Sequence, residues 1–168
     1  MTNGTDHTLT AAPEEERTIV VERVIEAPRE RVFEAFTQVR HLARWWGPKG
    51  FSTTTSAFEF AVGGEWHFVM HGPDGTTYPE WISWTAIEPP SRIALVHGER
   101  PGDPNAFTST FTFDDDGAAT RLRLRTVFRT KEQRDEAVLR FGAIEGARQT
   151  LARLAADVLG LATQAEVR

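Results

Sequence analysis

Between Phe51 and about Thr130 the chain repeats one pattern six times, and no other feature limits its fold as much. Runs at 51–60, 64–71, 77–87, 91–98, 106–114 and 119–129 place apolar and polar residues in alternation. That period of two puts the apolar side chains on one face of a strand. Turn chemistry separates the runs: Gly63-Gly64, Pro73-Asp74-Gly75, Pro89-Pro90, Pro101-Gly102-Asp103-Pro104 and Asp116-Gly117. Connections this short admit antiparallel neighbours, because parallel neighbours need long crossovers. The β-branched run from Thr18 to Glu26 adds a seventh strand ahead of them.

Helical spacing occupies the rest. Ala27-Pro28 opens a helix with proline at its first position, and Val32, Phe33, Phe36 and Val39 follow at helical intervals. The pattern runs through Leu42 and breaks at Trp46-Gly47-Pro48, with a kink or a second short helix near Val39. Thr130 and Gln133 form a capping box. Behind it Ala137, Phe141, Ile144, Ala147, Leu151, Leu154, Val158 and Leu161 make one apolar stripe, predicting a single long helix that stops at Gly160. Such a helix, about 45 Å long at 1.5 Å per residue, must lie on the sheet. The expected fold class is α+β: a curved antiparallel sheet of about seven strands wrapped around a long C-terminal helix, with two short helices after strand 1. Residues 1–16 read as a disordered N-terminal tail, 17–162 as the domain and 163–168 as a C-terminal tail.

This order is that of the helix-grip fold. Particular residues narrow it further: Glu26-Ala27-Pro28 with Val32-Phe33, Leu42 and Trp45-Trp46-Gly47-Pro48, then Gly63 to Met70, Gly72 to Gly75, Ile87 to Ile93, Gly117 to Leu124, and Gly146 with Leu151 and Leu154. In these the chain resembles bacterial proteins similar to the C-terminal domain of the Hsp90 ATPase activator, within the START/Bet v 1-like class. The likeness covers roughly residues 17 to 162. It implies a cavity between sheet and helix with its mouth near Trp45 and Trp46. Family members often carry Trp after the glycine of the last helix; Ala147 stands there in this chain, which implies a larger pocket at that point. The eukaryotic activator has a separate N-terminal domain that engages the chaperone. Only a short tail precedes the domain in this sequence, so the resemblance does not carry Hsp90 activation with it.

Eleven Phe and five Trp against a single Tyr need a large core or a cavity to line. Trp66, Phe68 and Met70 share one strand face; Phe107, Ser109, Phe111 and Phe113 share another; Leu122, Leu124 and Phe128 belong to the apolar face of the last strand. Trp81 and Trp84 point to opposite faces unless a bulge intervenes. A filled core and a ring-walled cavity both fit this pattern; the fold resemblance favours the cavity. The candidate ligand contacts are Trp45, Trp46, Trp66, Phe68, Met70, Trp84, Phe111, Phe113, Leu124, Phe141 and Ile144.

Other chemistries find little footing. Net charge is −5, with 19 basic residues dispersed among 24 acids, which argues against nucleic acid as a partner. Arg121, Arg123 and Arg125 read as a solvated strand face, with an anion-binding stripe as the alternative. The chain has no cysteine, hence no disulfide or thiolate chemistry, as suits a reducing compartment. It has no apolar run near the ~20 residues a membrane helix needs, and a cytoplasmic location is expected. His67 and His71 share an outward strand face about 13 Å apart, too far to bind one metal. His97 sits near a strand end, with cavity and surface positions both open, and Glu59, Glu65 and Glu80 could reach the interior. Asp114-Asp115-Asp116-Gly117 reads as a solvated hairpin turn rather than a calcium loop. No metal or cofactor is expected, and no nucleophile–base motif is present. Three functions follow in order: binding of a hydrophobic or aromatic small molecule; a cyclase- or hydrolase-type enzyme using the same cavity; or a stress-related interaction module, chaperone partner or homodimer.

Overall fold

A computed structural model describes the backbone of residues 12–166 and the side chains of residues 12–160. The expected disorder of residues 1–11, and the Leu161 side chain of the helical stripe, lie outside the described residues. A short 3₁₀ turn, Glu14–Arg17, crosses the boundary read between tail and domain at residue 17. It is held by Arg17, whose Nε donates to the Ala12 carbonyl and Nη1 to that of Phe128.

The strands are β1 (Thr18–Ile25), β2 (Ser52–Phe58), β3 (Glu65–His71), β4 (Thr77–Glu88), β5 (Arg92–Gly98), β6 (Phe107–Asp116) and β7 (Ala119–Val127). They form one antiparallel sheet in the order β1-β7-β6-β5-β4-β3-β2. Consecutive strands from β2 to β7 are hairpin neighbours. Only β1 is seated by a long-range pairing, Thr18 opposite Val127 through Ile25 opposite Thr120.

Alternation decides which face is buried. On β1, Ile19 and Val21 are each 6% exposed while Val20 is 47% and Val24 40% exposed. On β3, Trp66, Phe68 and Met70 point inward, with His67 and His71 between them on the outer side. Trp81 and Trp84 do face opposite ways: Trp84 is buried, and Trp81 donates its indole N–H to Glu65 outside. Arg121, Arg123 and Arg125 form an outer face. Arg123 pairs with Glu22 at 2.8 Å, Arg125 with Glu14 at 2.8 Å, and Arg121 with Asp116 at 3.5 Å. Exposed pairs of this kind add little stability.

Two short helices follow β1: α1 (Arg29–Glu34) and α2 (Val39–Trp45). Pro28 is the N-cap of α1, extended at ψ 149, rather than its first helical residue. Phe36 between the helices and Leu42 and Trp45 on α2 are fully buried, and the Trp45 indole N–H is satisfied by the Ala35 carbonyl at 3.0 Å.

The C-terminal helix is not continuous. α3 (Lys131–Phe141) ends at Gly142, whose φ of 60 is left-handed, and α4 (Ala143–Glu166) begins directly after it. Glycine adopts that conformation without the Cβ penalty other residues meet. The N-terminus of α3 forms half of the expected capping box: the Gln133 N–H donates to Thr130 Oγ1 at 3.0 Å, whereas Gln133 Oε1 accepts from the Arg129 N–H, one residue before the N-cap. Gly160 is not a stop. It lies inside α4, where a glycine costs about 1 kcal/mol but need not end a helix. α4 therefore crosses the boundary read at 162 and spans about 36 Å. Its Leu151, Leu154, Ala155 and Val158 join the buried cluster of the sheet, whereas α3 buries no residue. Among the described residues, no helix is long and apolar enough to cross a membrane.

Candidate ligand-binding cavity

The space between sheet and helices divides into a solid half and a hollow half. The solid half is aromatic. Phe36 packs edge-on to Trp45 (4.8 Å), Phe111 (4.8 Å) and Phe113 (5.4 Å), Trp66 stacks on Phe68 at 3.7 Å, and Trp84 meets Phe60 at 5.0 Å. Edge-on contacts of this kind add about 0.5–1.5 kcal/mol each beyond their buried area.

The hollow half is a cavity of about 360 Å³. Its floor is the inward face of the sheet: Ile19 of β1, Leu95 and His97 of β5, Phe107, Ser109 and Phe111 of β6, and Leu124 and Thr126 of β7. Met70 and Trp46-Gly47-Pro48 close one side, and Phe128 and Phe141 stand at another. The roof is the first part of α4, where Ala143, Gly146, Ala147 and Thr150 face the space. These small residues are why the cavity exists. One turn further on, Leu151 and Leu154 fill the same gap completely.

Of the eleven sequence-predicted contacts, Trp46, Met70, Phe111, Leu124 and Phe141 line the cavity. Phe141 does so at the rim, 68% exposed. Trp45, Trp66, Phe68, Trp84 and Phe113 belong instead to the solid half, with neighbouring rings against them where a ligand would have to sit. Ile144 packs half-buried against the core without lining the space.

The mouth loop is fixed from α4. Arg153 Nη1 donates to the carbonyls of Trp46 (3.3 Å), Gly47 (3.0 Å) and Pro48 (3.0 Å), and Nη2 to that of Arg44 (3.2 Å). The guanidinium thus satisfies the C-terminal carbonyls of α2 and pins the loop that carries Trp46. Burial pulls its pKa below the ordinary arginine value. Gly47 is needed here: its φ is 94, and an added Cβ would lie 2.6 Å from Met70 Cε.

Three polar features interrupt the apolar wall. Ser109 Oγ and Thr126 Oγ1 are 3.2 Å apart, and Thr150 Oγ1 donates back to the Gly146 carbonyl. The third is a histidine–carboxylate pair: His97 Nε2 lies 2.7 Å from Glu80 Oε2, with the side chains 14% and 18% exposed. The His97 ring packs against Phe107 at 4.8 Å, with Trp46 at 6.3 Å and Phe68 at 6.4 Å. The sequence alone leaves both interior and surface positions open to His97 and Glu80. Strand parity places them, because His97 follows buried Ile93 and Leu95 by steps of two and Glu80 precedes buried Ile82 and Trp84.

Outside the cavity lies a second, more polar hollow of about 480 Å³ that shares Glu80, Phe107, Phe128 and Phe141 with it and adds Glu99, Asp103 and Glu136. Asp103 is structural. Its carboxylate accepts the Glu99 and Asn105 N–H groups, each at 2.8 Å, which holds its pKa below the usual carboxylate value. Glu65 lies on the outer side of the sheet with Trp81. No group of three or more His, Asp or Glu among the described residues could hold a metal ion.

Comparisons with known proteins agree with this architecture. The family profile described as "Activator of Hsp90 ATPase homolog 1-like protein" matches residues 26–158. A solution NMR structure of a protein from Arthrobacter aurescens is 27% identical, covers 88% of this chain and 89% of its own, and superposes with a TM-score of 0.80. Protein CV1439 from Chromobacterium violaceum is 26% identical over 84% of this chain and 96% of its own, TM-score 0.73. Protein NE0264 from Nitrosomonas europaea, at 21% identity, shares the fold over 90% of this chain and 99% of its own, TM-score 0.81. Comparison with the curated proteins returned no significant match.

Proposed function

The chain belongs to the Activator of Hsp90 ATPase homolog 1-like family, and from the cavity its fold encloses we propose that it binds one hydrophobic or aromatic small molecule between the sheet and the C-terminal helix. The supporting observation is the division of the interior. A void of about 360 Å³ is kept open by Ala143, Gly146 and Ala147 beside a core that is otherwise packed solid with rings. Small-molecule sites have this character: concave, mostly apolar, with few polar groups that fix orientation.

The test is an NMR titration that follows the five tryptophan indole N–H signals against pools of hydrophobic metabolites. Trp46 is the expected reporter. Trp45, bonded to the Ala35 carbonyl, and Trp66, bonded to Thr55 Oγ1, should stay nearly still. A saturable shift of Trp46 supports the reading. If no pool moves it, or if all five signals drift together without saturation, the cavity is not a receptor site.

An enzyme of cyclase or hydrolase type in the same cavity is the second reading. The paired His97 and Glu80 facing the rings favour it.

A further inference from the structure

The pair His97–Glu80 is placed differently from every other ionic contact in the protein's described residues. The rest lie on outer surfaces or between helices, whereas this one forms part of the wall of the apolar cavity. An ionised carboxylate can only accept a hydrogen bond. With Glu80 ionised and the imidazole neutral, Nε2 of His97 carries the proton it shares, and Nδ1 holds the lone pair. Nδ1 has no hydrogen-bond partner among the described residues. The carboxylate thus sets the tautomer and ring orientation and would stabilise the imidazolium formed when Nδ1 takes a proton. That is the arrangement of an oriented general base.

A second polar feature stands at a useful distance. On paired strands Leu95 is opposite Ser109 and His97 opposite Phe107, so His97 and Ser109 are diagonal neighbours, about 7–8 Å apart by strand geometry. Ser109 and Thr126 together own two hydroxyl protons. Their mutual contact at 3.2 Å uses one, leaving the other to donate into the cavity. Between base and donor the walls are apolar, from Leu95, Phe107 and Phe111.

We propose that His97, positioned by Glu80, is a general base acting on an aromatic or hydrophobic carbonyl compound with an acidic α-carbon, its oxygen held by the Ser109–Thr126 hydroxyls. This deepens the ligand-binding reading and rests on the cavity being accessible. In the step, Nδ1 takes the α-proton. The C–H electron pair forms a carbon–carbon double bond, and the carbonyl π pair moves onto oxygen to give an enolate that accepts the free hydroxyl proton as a hydrogen bond. Return of a proton from the imidazolium to the α-carbon re-forms the C–H bond and the carbonyl and regenerates the ketone, which in D₂O carries deuterium at that position. No oxidant, reductant or metal is needed for the balance.

The probe is 1-tetralone in D₂O, an apolar fused-ring ketone. Its α-hydrogen exchange is followed by proton NMR and the Trp46 indole signal in a matched H₂O sample. The expected second-order exchange rate is at least about 100-fold that of free imidazole at equal concentration, within the range of positioned bases. His97→Gln should return the rate to background, with His97→Phe, which keeps a ring against Phe107, as the second variant should the first misfold. Ser109→Ala should lower the rate about tenfold without moving its pH dependence. Glu80→Gln should lower it and also shift the pH profile, which loss of a merely structural contact would not do. The charged groups at this end are Glu99, Asp103 and Glu136, which line the outer hollow, and Arg100 and Arg129 close to Asp103, with Arg129 Nε donating to the Ala106 carbonyl; the residues facing His97 from β6 and the mouth loop, Phe107 and Trp46, are uncharged. A rate equal to free imidazole, or one unchanged in both His97 variants, overturns the proposal. If Trp46 shifts with 1-tetralone while exchange does not accelerate, the base falls and the receptor reading stands. Neither a shift nor exchange overturns both for this class of ligand.

Discussion

Ala147→Trp is expected to stabilise the protein and abolish ligand binding at once, and the opposite signs make it decisive. Ala147 sits on the roof of the cavity, two helical turns before Leu154. Helical side chains lean toward the N-terminus, so an indole at 147 heads toward Ala143 and the sheet opposite. A tryptophan buries about 150–250 Å². At about 25 cal/mol per Å², complete burial would contribute roughly 4–6 kcal/mol. Several effects reduce that. The cavity is open at its rim, so part of the ring stays wet. Tryptophan is a poorer helix former than alanine by up to about 0.7 kcal/mol, and ordering the side chain costs about 1 kcal/mol more. A net gain of about 1–2 kcal/mol remains, in line with cavity-filling changes generally. For a chain of this length that is a rise in Tm of about 2–8 °C. Thermal unfolding followed by circular dichroism measures it, and the Trp46 indole titration measures binding in the same preparation. A fall in Tm with binding intact would show that the indole does not enter the space. A fall in Tm with binding lost would mark an overpacked site, which costs about 1–3 kcal/mol, and would refute the claim that Ala147 faces room for a ring.

Other substitutions probe the frame around the cavity. Arg153→Met keeps the aliphatic stem but loses the donors to four loop and helix carbonyls; since those bonds share hydrogens and are partly wet, about 2 kcal/mol should be lost in urea unfolding, with a broadened Trp46 indole line, and a loss under about 0.5 kcal/mol would deny the clamp its role. Thr120→Val preserves shape at a fully buried site but strands the Ala27 carbonyl that Thr120 Oγ1 reaches at 2.8 Å; a loss of about 1–3 kcal/mol in denaturant unfolding is expected, and an unchanged midpoint would contradict it. Asp103 has a lowered pKa because it accepts two backbone N–H bonds, the Glu99 one foremost, so its stabilising contribution is complete above the ordinary carboxylate pKa and is lost as pH falls through the lowered value. Wild type should therefore melt above Asp103→Asn at neutral pH with the gap closing in acid, and a gap that stays constant would disprove the linkage.

Strands were the readable part because alternation and turn chemistry are local. The run read at 77–87 is Thr77–Glu88, and that at 64–71 is Glu65–His71. The break at Gly142 was masked by arithmetic. Phe141 and Ile144 are three residues apart whether or not the helix between them is intact, so the apolar stripe counted straight through a glycine that reverses the sign of φ. Cavity and core were harder to separate for a different reason. Residue type says that Trp66 and Trp46 are both large and apolar. Which one meets empty space depends on what lies across from it. Trp66 is covered by Phe68 and Trp46, while the floor near Phe107 and Ser109 faces Ala143, Gly146 and Ala147. That opposition exists only after the helix is laid on the sheet. The Ala147 departure was the one local sign of it, and His97 and Glu80 could have been placed by counting outward from Leu95 and Ile82.

The seating of β1 against β7 also sets an order of assembly. Ile19 near the start of the chain and Thr126 near its end are opposite one another and both line the cavity. On a ribosome the hairpins from β2 to β6 can close as they emerge, but the first strand must wait, unpaired, until β7 is made. Long-range pairings of this kind are slow to form because the chain between them must first be organised. The roof on α4 arrives later still. The cavity is thus completed only after β7 and α4 have both been made. Occupancy of the cavity is then a property of finished molecules only, and a ligand that binds there will select them from the unfinished ones.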